Sequence, residues 1–582
     1  MKPERHAESD GCRAQQRSSV STFDTKPWLD AYAPGVPHEI ALPSGSLVDM
    51  VEGAVTRFRR STALQFFGER TSYAELGDQI GRAAEGLRRL GVKKGDRVAI
   101  VLPNCPQHVV AFYAVLRLGA VVVEHNPLYT ARELRHQFED HGARVVIAWD
   151  KVAGLVTDFP QDLPIDAVVS VDVTRAMPFG TRLALRLPVA KARTSRRALT
   201  TASRVRGTSP WEALVSHGSL RRKHPRPEGS DLALLQYTSG TTGNPKGVML
   251  SHSNLLANAA QGRAWVPGLS EGTEVFYAVL PLFHAYGMTL CLTFAMSIGA
   301  TVVLFPKFDV DLVLTAFSKT PATFLPAVPP IYEALARAAE RRKVDLSGIR
   351  FAISGAMSLP VPIVRRWEHA TGGLLVEGYG MTETSPVALG NPIGPTRRPG
   401  TVGVPFPNTE IRVVDPADTT VDRGPGEAGE LLIRGPQVFS GYWKRPEDTA
   451  AALIGDGWLR TGDIVEVSAD GFVTVVDRVK ELIVTGGFNV SPSEVEHVLM
   501  DHPDVREAAV VGLPRESGGE DVAAAVVMQD GTVFDQNALR DFCRRGLTPY
   551  KIPKRIVQVD DLPRSLIGKV LRKDVRERML AD

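Results

Sequence analysis

The feature that most limits what this chain can fold into is the alternation of short β-branched runs with longer helical patterns over most of its first 480 residues. Arg97–Pro103 (RVAIVLP) reads as a buried strand. Gln107–Ala120 (QHVVAFYAVLRLGA) reads as an apolar helix closing on Gly119, and Val121–Glu124 (VVVE) as the next strand. Strands that are apolar on both faces and linked through a helix build parallel sheets with helices on either side. At 582 residues the chain exceeds what one core supports, so several units are expected. From about residue 400 the texture changes to short strands punctuated by Gly and Pro (IRVVDP, GELLIRGP, FVTVVDR), which reads as a β-rich subdomain. Beyond Lys480, a capped helix (SPSEVEHVLM) and a strand (DVAAAVVMQ) share a compact mixed segment. The expected plan is α/β. A disordered tail covers 1–25, and a large N-terminal domain of stacked α/β subdomains covers 26–479. That domain includes a basic insertion at about 173–226 and the β-rich part at about 400–478. A small α+β C-terminal domain covers 480–582.

Composition removes several function classes. With 43% hydrophobic and 23% charged residues the chain is an ordinary globular one, and a net charge of +3 lacks the Lys/Arg excess of a nucleic-acid-binding protein. Cys12, Cys105, Cys291 and Cys543 are far apart, with no CxxC pair or Cys/His cluster, so neither a structural zinc site nor a disulfide framework is expected. A reducing, cytoplasmic setting fits, and the polar N-terminus does not read as a secretory signal. Ala285–Phe305 contains no charged residue and is long enough to cross a bilayer. Gly299 interrupts it, however, and Thr301, Val302 and Val303 follow. That punctuation reads as a buried helix, a glycine cap and a core strand.

One stretch differs from the rest in charge. Val173–Trp211 holds nine Lys or Arg and no acid: Arg175, Arg182, Arg186, Lys191, Arg193, Arg196, Arg197, Arg204 and Arg206. Leu183, Leu185, Leu187 and Val189 are interleaved in a strand-like alternation, and Pro178 and Pro188 break any long helix. Two readings stand side by side: a surface drawn to anionic lipid at the inner membrane face, and a solvated loop with no partner.

The strongest local signal is YTSGTTGNPKG, Tyr237–Gly247, directly after the strand-like LALLQ. Gly240 and Gly243 let the backbone turn tightly and aim N–H groups at phosphate oxygens. Thr238, Ser239, Thr241 and Thr242 add hydroxyl donors, and Lys246 supplies a compensating cation. The Walker pattern fails on both sides of that lysine, at Pro245 and Gly247.

This loop resembles the phosphate loop of the adenylate-forming superfamily of acyl-CoA synthetases, aryl-CoA ligases, luciferases and nonribosomal adenylation domains. Four more segments match its pattern in order: YGMTETSP (Tyr379–Pro386), WLRTGD ending at Asp463, Val476–Glu496, and PRSLIGKVLRK (Pro563–Lys573). The resemblance runs from about residue 40 to 578 and implies site roles residue by residue. Thr238–Gly243 and Lys246 would bind ATP phosphates, with Glu383 and Thr241 holding magnesium. Tyr379, Gly380, Met381 and Thr382 would frame the adenine; Ser354, Gly355 and Ala356 of the SGAMSLP segment would pass between adenine and the acyl tunnel, and Gly378, also at the ATP site, would leave room for an acyl chain. Asp463 and Arg478 would hold the ribose, and Lys480 would be the hinge of a mobile C-terminal domain. Gly486 and Gly487 would line the coenzyme A tunnel. Lys569 would bridge the carboxylate and α-phosphate during adenylation, and His284 would border the acyl pocket in a positioning role.

What the resemblance implies is a ligase that needs ATP, Mg2+ and coenzyme A and passes through an acyl adenylate. The lead Lys26–Ile40 and the basic insertion look like those of long-chain fatty-acid–CoA ligases. A fatty-acyl-AMP ligase loading a carrier protein, an aryl-CoA ligase, and a nucleotide sensor without ligase activity are the alternatives.

Overall fold

Two parallel sheets carry most of the chain in this computed structural model, which describes residues 23–238, 245–485, 488–515, 520–565 and 568–581. Among the described residues the first sheet has seven strands, in the order Ser209–Pro210, Ala167–Val171, Val145–Trp149, Arg97–Val101, Val121–Glu124, Leu232–Thr238 and Lys246–Ser251. Neighbours run parallel except the last pair, an antiparallel hairpin in which Thr238 faces Lys246. The second sheet has nine strands. Its parallel centre comprises Thr62–Phe66, Thr301–Leu304, Val275–Ala278, Phe324–Ala327, Phe351–Ser354 and Leu374–Gly380. Helix Pro106–Arg117 touches strands of both sheets, and all twelve of its residues are buried. A helix apolar on every side has no other stable place.

The apolar run at 285–305 is interior as well. It forms one buried helical stretch from Ala285 to Ser297, widened into a π-type turn at Thr289–Phe294. It ends at Gly299 (φ +70°) before strand Thr301–Leu304. Among the described residues no helix is long and apolar enough to cross a membrane.

An antiparallel sheet of Glu410–Val414, Gly429–Arg434, Leu453–Ile454, Trp458–Val467 and Val473–Arg478 forms the β-rich part. Its core takes in Phe23, Trp28 and Tyr32 from the lead segment, and the Tyr32 hydroxyl donates to the Pro405 carbonyl at 2.7 Å. Phe23, within the stretch 1–25 expected as a tail, is 2% exposed; residues 1–22 of that stretch lie outside the described residues. Gly471 (φ +87°) lies so close that a Cβ there would sit 2.6 Å from the Trp28 Cβ. The C-terminal unit packs helices Pro492–Met500, Gln536–Gly546 and Arg572–Ala581 on strands Val505–Pro514, Glu520–Met528 and Arg555–Gln558.

The basic stretch departs from the strand-like reading. It contains two short helices, Phe179–Ala184 and Ala190–Leu199, each starting just after one of the two prolines. Proline is tolerated where a helix begins, so Pro178 and Pro188 space the helices apart rather than abolish them. The second is completed from outside. Lys151 Nζ donates to the Arg197 carbonyl at 2.8 Å, and Trp149 Nε1 donates to the Leu199 carbonyl at 2.8 Å. Those are carbonyls a helix end cannot satisfy by itself.

Candidate active site

The C-terminal ends of the parallel strands, the β-rich sheet and the C-terminal unit meet at one place. On its phosphate side, hairpin Leu232–Thr238/Lys246–Ser251 carries the Gly/Thr loop. Thr238 and Lys246 lie at the two ends of that loop. Ser239, Gly240, Thr241, Thr242 and Gly243 fall outside the described residues. Lys246 Nζ forms an ion pair with Asp448 and lies 5.1 Å above the Tyr442 ring. The Tyr442 hydroxyl in turn donates to Glu383 Oε1 at 2.8 Å. Burial raises the Glu383 carboxyl above the ordinary carboxylate range, partly opposed by that hydroxyl and by the charges of Arg478 and Lys246.

Glu383 stands on a single turn, Thr382–Thr384, immediately after strand Leu374–Gly380. The chain can turn here because Gly380 has no side chain: a Cβ would fall 1.8 Å from the Pro386 carbonyl oxygen. Met381 N–H closes the turn onto that oxygen at 2.9 Å.

On the nucleoside side, Asp463 and Arg478 are paired residues of adjacent antiparallel strands, and Arg478 Nε lies 2.9 Å from Asp463 Oδ1. The other oxygen, Oδ2, accepts the Tyr379 hydroxyl at 2.5 Å. Asp463 is only 3% exposed, and Tyr379 is half-buried beside it. Burial opposes the charge on Arg478, but Asp463 and Glu481 more than offset this and raise its pKa.

Ser354–Ala356, Gly378 and the turn at His284 are the residues expected on the acyl side. A Cβ on Gly355 would be 3.1 Å from the Tyr286 ring, and the Tyr286 hydroxyl donates to the Ile353 carbonyl at 2.6 Å. Ala356 adopts φ +66°. His284 caps the helix that follows, its Nδ1 accepting Tyr286 N–H at 3.3 Å, and desolvation lowers its pKa to about 4. With Nδ1 accepting this N–H, the neutral imidazole keeps its single proton on Nε2. Gln236, two residues before Thr238, holds the same turn through Nε2 to the Phe283 carbonyl at 2.7 Å.

Lys569 arrives from the C-terminal unit on a tight turn, where Ser565 N–H donates to the Lys569 carbonyl at 2.8 Å. Gly568 (φ +81°) seats this turn against the large domain, its Cβ position lying 3.6 Å from Met357 Sδ and 3.8 Å from Pro330 Cγ. Burial and the nearby Arg478 charge hold the Lys569 ammonium below the ordinary lysine value, against the pull of Glu481 and Asp463. Backbone around Lys480 forms a short turn, Val479–Glu481; the Lys480 side chain, Gly486 and Gly487 lie outside what is described.

Of four further polar residues around this site, Asp448 and Tyr442 lie outside the five motifs, while Asp477 and Arg572 fall inside two of them with no role assigned there. Asp448 and Tyr442 engage Lys246 and Glu383. Asp477 accepts Ser491 Oγ at 2.5 Å and Ser493 N–H at 3.1 Å across the hinge. Arg572 joins Glu481 to Glu496 and Ser493.

Comparison with known proteins agrees with this arrangement. Residues 51–443 match the AMP-binding enzyme family and residues 494–569 match the AMP-binding enzyme C-terminal domain. The long-chain-fatty-acid–CoA ligase of Bacillus subtilis is 37% identical over 552 residues, covering 95% of this chain and 98% of its own. ATP-bound MatB from Rhodopseudomonas palustris superposes with a TM-score of 0.79 at 30% identity, over 91% of this chain and 98% of its own. Apo MatB, with the same identity and coverage, reaches 0.68.

Proposed function

The chain belongs to the AMP-binding enzyme family, and we propose that it ligates medium- and long-chain fatty acids to coenzyme A. ATP supplies the energy, an acyl adenylate is the intermediate, and pyrophosphate and AMP leave. The observation that carries this reading is the convergence of Lys569, from one end of the chain, with Asp463 and Arg478 from the β-rich sheet. The better superposition on ATP-bound than on apo MatB supports the same arrangement.

A carboxylate is a poor electrophile because its charge is spread over two oxygens. Attack of that oxygen on the α-phosphorus of ATP forms a mixed anhydride and breaks the bond to pyrophosphate. Lys246 and the Gly/Thr loop hold the triphosphate, while Asp463 accepts the ribose hydroxyls and Arg478, paired with it at 2.9 Å, completes the ribose contact. Tyr379 offers its face to adenine. Lys569 neutralises negative charge that builds at the carboxylate and α-phosphate, a contribution realised chiefly in the transition state. Among the described residues no group of three or more His, Cys, Asp or Glu is placed to hold a metal ion. Glu383 is the carboxylate that would hold Mg2+, with Thr241 assisting, since that ion binds through one or two carboxylates plus substrate phosphates. When bound, that ion supplies charge neutralisation on the phosphates. The coenzyme A thiol then attacks the acyl carbon and AMP leaves; Gly486 and Gly487 give the pantetheine arm room, and Lys480 is the pivot between the two half-reactions.

AMP formation with ATP, Mg2+, coenzyme A and acids from acetate through oleate to 4-coumarate tests this directly. Coenzyme A-dependent turnover should peak with the long chains. Peak turnover with 4-coumarate would make it an aryl-CoA ligase, and pyrophosphate release without coenzyme A dependence would point to a carrier-protein acceptor.

The basic helices belong to the same reading, as the place where an apolar substrate is met. Helix Phe179–Ala184 has no buried residue, and Phe179 and Leu183 are 74% and 57% exposed beside Arg182 and Arg186. Apolar side chains in water flanked by cations suit an anionic lipid surface. Serine at Phe179, Leu183 and Leu187 should reduce cosedimentation with phosphatidylglycerol vesicles and spare turnover of a short soluble acid. Unchanged cosedimentation would dispose of the lipid role.

A further inference from the structure

We propose that Asp448 is a stand-in anion for the phosphates of ATP, holding Lys246 when the nucleotide is absent and competing with ATP and pyrophosphate for it. The inference rests on Lys246 being the phosphate-binding cation. Asp448 lies in the first turn of helix Pro446–Ala452. That helix follows an arm strapped to the phosphate-loop strand: Trp443 N–H donates to the Gly247 carbonyl at 2.8 Å, and Met249 N–H to the Gly441 carbonyl at 3.0 Å. Thr449 Oγ1 accepts Tyr442 N–H at 2.9 Å, fixing the helix start to the arm. The carboxylate is therefore carried to Lys246 by backbone pairing, not by a wandering side chain.

The same arm carries Tyr442, which lies under the Lys246 ammonium and donates its hydroxyl to Glu383. The cation expected to meet the phosphates and the carboxylate expected to meet the metal are thus both engaged by residues of one short segment. A lysine ammonium is a point charge that polyphosphate and carboxylate both want. Asp448 must give it up when ATP enters and can take it back when pyrophosphate leaves. Lys246 and Asp448 are 23% and 39% exposed, so water screens the pair and its effect is modest. The consequence is weaker binding of ATP and of pyrophosphate alike, which favours release of the first product. The second half-reaction, which involves neither ATP nor pyrophosphate, is untouched.

Calorimetric titration of the full-length protein with Mg–ATP, and separately with Mg–pyrophosphate, tests this. Asp448→Asn should bind both about two- to fivefold more tightly. Asp448→Glu, retaining the charge, should behave as the parent. Glu447→Gln, which removes an exposed neighbouring charge, should change neither affinity. Conversion of supplied acyl-AMP to acyl-CoA should be equal in all of them, which also reports that the variants are folded. In a Lys246→Ala background, Asp448→Asn should have no effect on ATP affinity. Unchanged or weaker ATP binding by Asp448→Asn, with Lys246→Ala weakening it, would overturn the stand-in role alone. Unchanged ATP affinity in Lys246→Ala would instead remove the phosphate role of Lys246 on which the inference stands.

Discussion

The two sides of the nucleotide site are built on different plans. On the nucleoside side, Asp463 is 3% exposed and its partner Arg478 is set opposite it by strand register. Tyr379 closes the set from a third strand. On the phosphate side, Lys246 and Asp448 are partly exposed and meet across 202 residues of sequence through an arm and a short helix. The first side is pre-formed and presents its groups with little rearrangement. The second holds its charges against each other until a substrate replaces one of them. A site that must bind AMP through two half-reactions but release pyrophosphate after the first is served by that division.

The largest perturbation should come from the residue that serves both sides. Lys569→Ala should lower acyl-adenylate formation, read as pyrophosphate release, by about 10²–10³. Conversion of supplied acyl-AMP should fall far less. Equal loss of both would mean that Lys569 supports the fold, not the first transition state. Because burial and Arg478 depress its pKa, the ammonium is lost at lower pH than an ordinary lysine's. The alkaline limb of pyrophosphate release should therefore begin below the usual lysine range, and that limb should be absent from the second half-reaction.

Breaking the pre-formed side alone should cost less. Arg478→Ala leaves Asp463 buried with only the Tyr379 hydroxyl. Loss of a hydrogen bond between charged groups is worth about 1.5–3 kcal/mol, so KM for ATP should rise roughly ten- to a hundredfold. An unchanged KM would show that the register pair is structural and not a ribose clamp.

How much of this was legible beforehand follows the same division. Strands such as Arg97–Val101 and Val121–Glu124, and the buried helix between them, were written in local hydrophobic pattern. Gly119 and Gly299 mark the ends of helices through positive φ, as their neighbours suggest. The roles expected for Lys246, Glu383, Asp463, Arg478 and Lys569 rest on five motifs in order, not on spacing alone; the structure sets Asp463 beside Arg478. Asp448 and Tyr442 were not legible, because nothing near either residue indicates a partner 202 or 59 residues away. The helices of the basic stretch were misread for a related reason. Leu183, Leu185 and Leu187 alternate like a strand, but Lys151 and Trp149, distant in sequence, complete the end of helix Ala190–Leu199.

The smallest effect probes the provisional side through Glu383. Tyr442→Phe deletes one hydroxyl and keeps the ring beneath Lys246, so the ion pair with Asp448 should persist. Burial already raises the Glu383 carboxyl, and the hydroxyl is what lowers it most. Removing it should raise the carboxyl further. Glu383 must be ionised to take Mg2+, so activity is lost as pH falls through its pKa, and a higher pKa moves that acidic limb upward. At pH values well above the limb the two enzymes should converge, differing by at most a few-fold in KM for Mg2+, the scale of one hydrogen bond at about 0.5–1.5 kcal/mol. A downward shift of the limb, or a loss that no pH restores, would mean that Tyr442 acts on the phosphates and not through Glu383. The phosphate side would then be as pre-formed as the nucleoside side, and the contrast between them would fail.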